Sequence, residues 1–301
     1  MNGFIIIDKP AGITSHDVVS RVRRILGTKK VGHTGTLDPF ATGVLPVAVN
    51  EGTKAIPYLD EGRKCYQALM RLGVTTDTLD MTGKVLSETD SSLVDEQLLR
   101  SLLLGFTGPI SQVPPMFSAI KLGGQPLYKL ARQGQEIERE PRQVEIYELE
   151  LISYRLPFVE IRVVCSRGTY IRSLADDIGS ALGCGAALQE LRRTASGPFA
   201  IEAAVSLETL EESVHKSALD ELFISPYQAL NHLLDIPLAD SGLLKVSHGI
   251  SPGWDDTSAL LPNVCQESEL VRLSREYGLI AIAQLQPNCG SAQIVLKRVF
   301  N

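Results

Sequence analysis

Asp38 stands in the stretch Gly32-His33-Thr34-Gly35-Thr36-Leu37-Asp38-Pro39. The proline after it biases Asp38 toward extended backbone, and the flanking glycines let a ligand or another chain segment approach closely. A carboxylate presented this way can serve as a nucleophile or a general base. It can equally close an Asx-type turn ahead of the proline. A second set of residues is Arg167-Gly168-Thr169-Tyr170-Ile171-Arg172. With Thr169 as the cap of a helix running to about Leu182, Arg172 falls in the first turn, where a cation opposes the macrodipole. A guanidinium there can reach a carboxylate across a cleft and keep it ionised; the plainer alternative is an i,i+4 pair with Asp176. Tyr66 is the third feature. On a strand it shares a face with Lys64 and Ala68, either as packing or as a ring stacked on a planar substrate with its hydroxyl at the reacting edge.

These residues need elements to position them. Gly3 to Ile7 reads as a short buried strand. Thr14 or Ser15 caps a helix through Leu26, with Val18, Val19, Val22 and Ile25 on one stripe. The apolar run Gly43 to Val49 follows the glycine-rich turn, and Lys64 to Leu72 alternates as a half-buried strand does. Two strand-like stretches, 142–154 and 158–165, face each other across Arg155-Leu156-Pro157 and are expected to pair. Without regular strand–helix alternation, a doubly wound parallel sheet is disfavoured and an α+β fold is expected. An acidic helical stretch, 206–234, ends at Asp235-Ile236-Pro237. Beyond it, Gly/Pro-punctuated sequence with strands at Leu279–Gln284 and Gln293–Lys297 suggests a small β-rich appendage. The expected division is therefore 1–236 and 237–301.

The 301 residues are 44% hydrophobic and 21% charged, which excludes wholesale disorder. No run approaches the roughly 20 apolar residues needed to span a bilayer. Five cysteines without a Cys-x-x-Cys pair, and five scattered histidines, give neither a disulfide framework nor a metal site. A reducing, cytoplasmic setting fits. The net charge of −6 argues against a nucleic-acid partner when taken alone. However, residues 202–235 hold seven acids and one base, so the excess is local and a basic face elsewhere remains open.

Taken in order, Asp8-Lys9-Pro10-Ala11-Gly12-Ile13-Thr14-Ser15, the Gly32–Pro39 stretch, Tyr66, Arg71-Leu72-Gly73 with Thr76-Asp77-Thr78-Leu79-Asp80, Arg167–Arg172, Leu182-Gly183-Cys184-Gly185-Ala186 and Leu191-Arg192-Arg193 closely resemble the bacterial tRNA pseudouridine-55 synthases of the TruB type. The resemblance covers roughly residues 3–200. It implies a pseudouridine-synthase fold: a mixed, largely antiparallel sheet with flanking helices, followed by a small PUA-like RNA-binding domain. It also implies that Asp38 is the catalytic carboxylate, that Arg172 pairs with it, and that Tyr66 stacks on the uracil and helps move the C5 proton. His33, Tyr170 and Leu191 would line the pocket for the flipped nucleotide. Lys9 would have a structural or RNA-facing role among the substrate-binding residues.

The implied reaction isomerises uridine at position 55 of the tRNA T-loop. Nothing is oxidised and no group is carried in, so no cofactor and no metal is expected. The implied partner is the tRNA T stem-loop, with no membrane and no obligatory protein partner, the chain acting as a monomer. Phosphate contacts would come from Arg21, Arg23, Arg24, Lys29 and Lys30, and from Arg192 and Arg193. One departure is Phe117, where many relatives carry tyrosine, so no hydroxyl contact carries over there. Two alternatives compete: a tRNA-folding chaperone acting by binding alone, and the catalytic subunit of a guide-RNA particle.

Overall fold

A computed structural model describes residues 1–60, 62–258, 268–288 and 291–300. The first strand, β1 (Gly3–Lys9), is buried on both faces. Its period of two divides it between cores. Ile5 and Ile7 enter the main core, while Phe4 and Ile6 enter a second cluster behind the sheet. Helix α1 (Ser15–Leu26) starts at Thr14, where Thr14 and Asp17 form a reciprocal capping box, and stops at left-handed Gly27. Its Val18, Val19 and Val22 are buried as expected, with Leu26 buried beside them and Ile25 partly buried against the core.

Short β2 (Val31–His33) pairs with β3 (Thr42–Val49), so residues 34–41 form a loop closed by two adjacent strands. Next come β4 (Arg63–Leu72), helix α2 (Glu96–Gly105), β5 (Gly108–Gln112) and the hairpin of β6 (Arg142–Arg155) and β7 (Phe158–Ser166). Helix α3 (Ile171–Ala181) and strand β8 (Ala186–Ser196) complete the main unit. The principal sheet runs β1-β3-β8-β4-β7-β6-β5. Its neighbours are antiparallel except β3 and β8, which touch in parallel at Arg192↔Thr42 and Arg193↔Gly43. That approach requires glycine: Gly43 has φ 99°, and a Cβ there would lie 2.2 Å from the Arg193 carbonyl oxygen. The fold is thus α+β, with a mixed and mainly antiparallel sheet.

Three local expectations are corrected. Thr169 does not cap α3. Tyr170 occupies the cap position, and Gln112 does the work of a capping side chain by accepting from Tyr170 N at 2.7 Å and donating to its carbonyl at 3.0 Å. The acidic stretch 206–234 is not one helix. Helix α4 (Leu207–His215) ends before Ser217, which has φ 55°, and a separate short helix at Pro226–Ala229 begins with its own Ser225 capping box. The C-terminal strands are longer than expected, and more numerous: β9 (Leu234–Pro237), β10 (Glu269–Arg275), β11 (Gly278–Asn288) and β12 (Ser291–Val299). They form a four-stranded sheet with helix α5 (Asp240–Ser247) against it. Ile282 and Phe300 of this region join Phe4, Ile6, Val44 and Phe199 in the second cluster, which fastens it to the main sheet.

Cys65, Cys165 and Cys184 are free thiols; Cys265 and Cys289 lie outside the described residues. Among the described residues no group of His, Cys, Asp and Glu has the arrangement of a metal site. No helix among them is long and apolar enough to cross a membrane.

Candidate active site

The loop carrying Asp38 is held by donors from three distant segments, because its inward carbonyls have no strand partner and must be satisfied inside the protein. Lys9, at the end of β1 and 0% exposed, donates to the carbonyls of Pro10 at 2.9 Å, Pro39 at 3.2 Å and Ala41 at 2.7 Å. Ser15, at the start of α1, donates to Leu37 O at 3.1 Å and accepts from Leu37 N at 2.9 Å. Arg193, on β8, donates to Val44 O at 2.8 Å, Gly35 O at 3.1 Å and Thr36 O at 3.4 Å. Both ends of the loop are therefore gripped by buried cations.

Arg172 reaches this loop from the first turn of α3. Its Nη2 donates to Asp38 Oδ1 at 3.0 Å, and its Nε lies 2.9 Å from Oδ2 without the alignment of a second hydrogen bond. The same guanidinium donates to Thr78 O at 2.9 Å and Phe117 O at 2.8 Å, and it sits 3.6 Å from Asp80. The cation's unfavourable position in the helix dipole is offset by two carboxylates and two carbonyls. It does not pair with Asp176. Burial pushes the Asp38 carboxyl above its ordinary value; Arg172 opposes that shift and Asp80 adds to it. The Asp38 side chain itself remains 31% exposed, facing the cavity.

That cavity, of about 480 Å³, is lined by His33, Asp38, Tyr66, Tyr170, Arg172 and Leu191, with Lys64 and Arg193 beside them. Strand register explains the gathering. Tyr66 on β4 lies opposite Arg193 on β8, and Ala68 lies opposite Leu191. Directly opposed residues in an antiparallel pair share a face. Burial pushes the Tyr66 phenol up, with the Arg193 guanidinium as the main opposing influence. A second cavity of about 880 Å³ adjoins the first and shares His33, Asp38 and Arg172; its far walls include His16, Phe40 and Tyr128.

Six of the seven expected site residues thus meet in one pocket. Lys9 does not line it, and its ammonium is occupied by the loop carbonyls, so of its two expected roles the geometry supports the structural one. One phosphate contact is also corrected: Arg193 is 1% exposed. Arg192 is paired with Asp8, Nη2 to Oδ2 at 2.7 Å, while its side chain stays 39% exposed. Arg23 donates to Val31 O at 2.8 Å, which leaves Arg21, Arg24, Lys29 and Lys30 as the exposed part of the first basic group. Asp80 had no role in the sequence reading. It is 4% exposed and braced by Thr78 and Thr82; the threonine-rich spacing around it was the available signal.

Residues 23–171 match the family model for the TruB family pseudouridylate synthase (N terminal domain), and 172–235 match the tRNA pseudouridylate synthase B C-terminal domain. The chain is 55% identical to the tRNA pseudouridine synthase B of Geotalea uraniireducens, covering 94% of this chain and 92% of that one. It is 50% identical to the protein of that name from Geobacter sulfurreducens over the full length of both. Among solved structures it is similar to a chain of a Cbf5-Nop10-Gar1 complex, with a TM-score of 0.76 and 30% identity over 99% of this chain and 85% of that one. It is also similar to a chain of an H/ACA RNP bound to a substrate RNA, with a TM-score of 0.74 and 28% identity over 99% and 85%.

Proposed function

Because the chain belongs to the TruB family of tRNA pseudouridine synthases, isomerases that form pseudouridine in tRNA, we propose that Asp38 carries the reaction at position 55 of the T-loop. The observation that carries this reading is the Asp38–Arg172 pair on the wall of a cavity that Tyr66, Tyr170, His33 and Leu191 also line. The target nucleotide leaves the folded T-loop at a cost of a few kcal/mol, and stacking on an aromatic face returns roughly 1–3 kcal/mol. His33, at the rim shared by both cavities, props the space that the nucleotide vacates.

The N1–C1′ bond breaks, the uracil turns while stacked on Tyr66, and C5 joins C1′. Asp38 acts either as the nucleophile at C1′ or as the base for the 2′ proton; Arg172 holds it in place for both routes. C5 then loses its proton to Tyr66, and N1 gains one, so atoms and charge balance without a cofactor. Stacking permits rotation in the plane of the base, which a fully hydrogen-bonded pocket would resist.

The segregation of β9–β12 into their own sheet supports a division into a catalytic unit, 1–236, and a PUA-like RNA-binding unit, 237–301, with β9 straddling the boundary. The chain acts as a cytoplasmic monomer on tRNA. The structural neighbours come from multi-component assemblies, whereas the likeness to the tRNA enzymes is greater in identity; this favours action without a guide RNA. Incubating the chain alone with unmodified tRNA, without metal or nucleotide, should yield one new pseudouridine in the T-loop. Asp38→Asn should abolish that product while tRNA binding persists. Turnover by the Asn variant would remove the catalytic role, and binding without turnover by the unsubstituted chain would leave the chaperone reading.

A further inference from the structure

Arg193 is among the largest fully buried side chains of the protein, at 1% exposure. Among the described residues it has no carboxylate partner. Its donors go to three neutral carbonyls, Gly35, Thr36 and Val44, and it lies directly opposite Tyr66 across β8 and β4, both lining the same cavity. Burying a cation without a counter-charge costs several kcal/mol. A buried guanidinium held beside a reacting group can stabilise negative charge that develops on it.

The group best placed to develop it is Tyr66. The other titratable groups acting on it or lining the same cavity are Cys165 on β7, Asp38 on the loop, and Lys64 two residues earlier on its own strand. Cys165 is neutral at physiological pH, because burial pushes its thiol up to about 12. The charge on Asp38 is taken up by Arg172. Arg193 is the cation directly opposite Tyr66 across the two strands.

We propose that Arg193 is a positioning residue for proton removal, its buried guanidinium stabilising the phenolate form in which Tyr66 takes the C5 proton of the turned uracil. The inference rests on the reading of Tyr66 given above. The protons balance: the Tyr66 phenol first gives its proton to solvent, its oxygen anion then takes the C5 proton, the C5–H electron pair restores the C5–C6 double bond, and the N1–C6 π pair passes to N1, which takes a proton from solvent, so none is gained or lost overall. By holding Gly35 and Thr36 through the same guanidinium, Arg193 also ties the position of the base to the loop that carries Asp38.

The test is single-turnover conversion of tRNA containing uridine or 5-deuterouridine at the target position, with four chains: unsubstituted, Arg193→Met, Tyr66→Phe and the double variant. Arg193→Met is expected to slow conversion by on the order of tenfold or more, up to the 10²–10⁴-fold that a general base contributes. The deuterium effect should increase and tRNA affinity should be unchanged. In the Tyr66→Phe background the same substitution should cost markedly less than in the unsubstituted chain, leaving only the loss of the loop contacts, as expected when one residue acts largely through another. An unchanged isotope effect, or an equal loss in both backgrounds, would reduce Arg193 to a loop clamp and overturn the inference. Full activity of Tyr66→Phe would instead overturn the reading of Tyr66 beneath it. Should Arg193→Met fail to fold, Arg193→Lys is made with 3,5-difluorotyrosine at position 66. The more acidic phenol should restore rate lost on the lysine substitution, and no restoration would count against the proposal.

Discussion

Arg172 and Asp38, 134 residues apart in the chain, meet with Nη2 donating to Oδ1 at 3.0 Å. The same guanidinium also donates to the carbonyls of Thr78 and Phe117, so one planar fork locks three loops around the carboxylate. A lysine ammonium supplies charge but not the directional spread of donors. Arg172→Lys is therefore expected to lower kcat by roughly 10²-fold, the cost of an ångström-scale misplacement of a reacting group. Single-turnover assays with saturating enzyme check this, and near-normal rates would contradict it.

Tyr66→Phe keeps the ring against the base and removes the hydroxyl. Conversion should fall by roughly 10²-fold or more, with tRNA affinity close to that of the unsubstituted chain. Filter binding alongside the rate assay separates the two effects. An unchanged rate would leave Tyr66 as a stacking surface alone.

Burial holds the Asp38 carboxyl above 3.8, its ordinary value, and the neighbouring charge of Asp80 adds to the shift. The ionised form is the active one in either route, so activity should fall on acidification with a midpoint above 3.8. Asp80→Asn removes the like charge and should move that midpoint to lower pH. A pH profile of single-turnover rate, taken where the protein remains folded, measures both.

Asp177 sits half-buried on α3 beside Asp176, and desolvation followed by that neighbour raises its carboxyl to about 6. A carboxyl raised on folding stabilises the fold in its protonated form. That contribution is full below the unfolded value near 3.8 and is lost as pH rises through about 6. Asp177→Asn should accordingly stabilise the protein by about 1–2 kcal/mol at pH 8, after allowance for its partial exposure, and have no such effect below about pH 4. Denaturant titrations at the two pH values test the sign.

Phe199 is 1% exposed and stacks obliquely on Phe4 at 5.2 Å between ring centroids. It lies in the cluster that also receives Ile282 and Phe300 from the C-terminal region. Phe199→Ala should cost about 3–5 kcal/mol. The loss should also loosen the C-terminal sheet from the main one, read as earlier proteolysis within residues 237–301.

Much of the fold was legible in local pattern. The alternation of β4, the capping of α1 by Thr14 and the pairing of the two long strands around Pro157 all follow from contacts within a few residues or across one turn. The start of α3 was misread because its capping partner is Gln112, 58 residues away. Helix α5 and strand β10 escaped notice because the C-terminal sequence has weaker periodicity and frequent Gly and Pro.

The residue types and their order by themselves determined the chemistry on offer: a carboxylate on a tight loop, a guanidinium at a helix start, and a tyrosine on a strand. Only the tertiary structure decided what each cation does. Arg193 and Lys9 look from the sequence like charges available to a phosphate, yet both are enclosed and donate to the loop of Asp38. Which face of a strand becomes interior depends on its register with strands over a hundred residues away. That choice is made by burying the whole sheet at once, and it decides whether a cation meets solvent or a carbonyl.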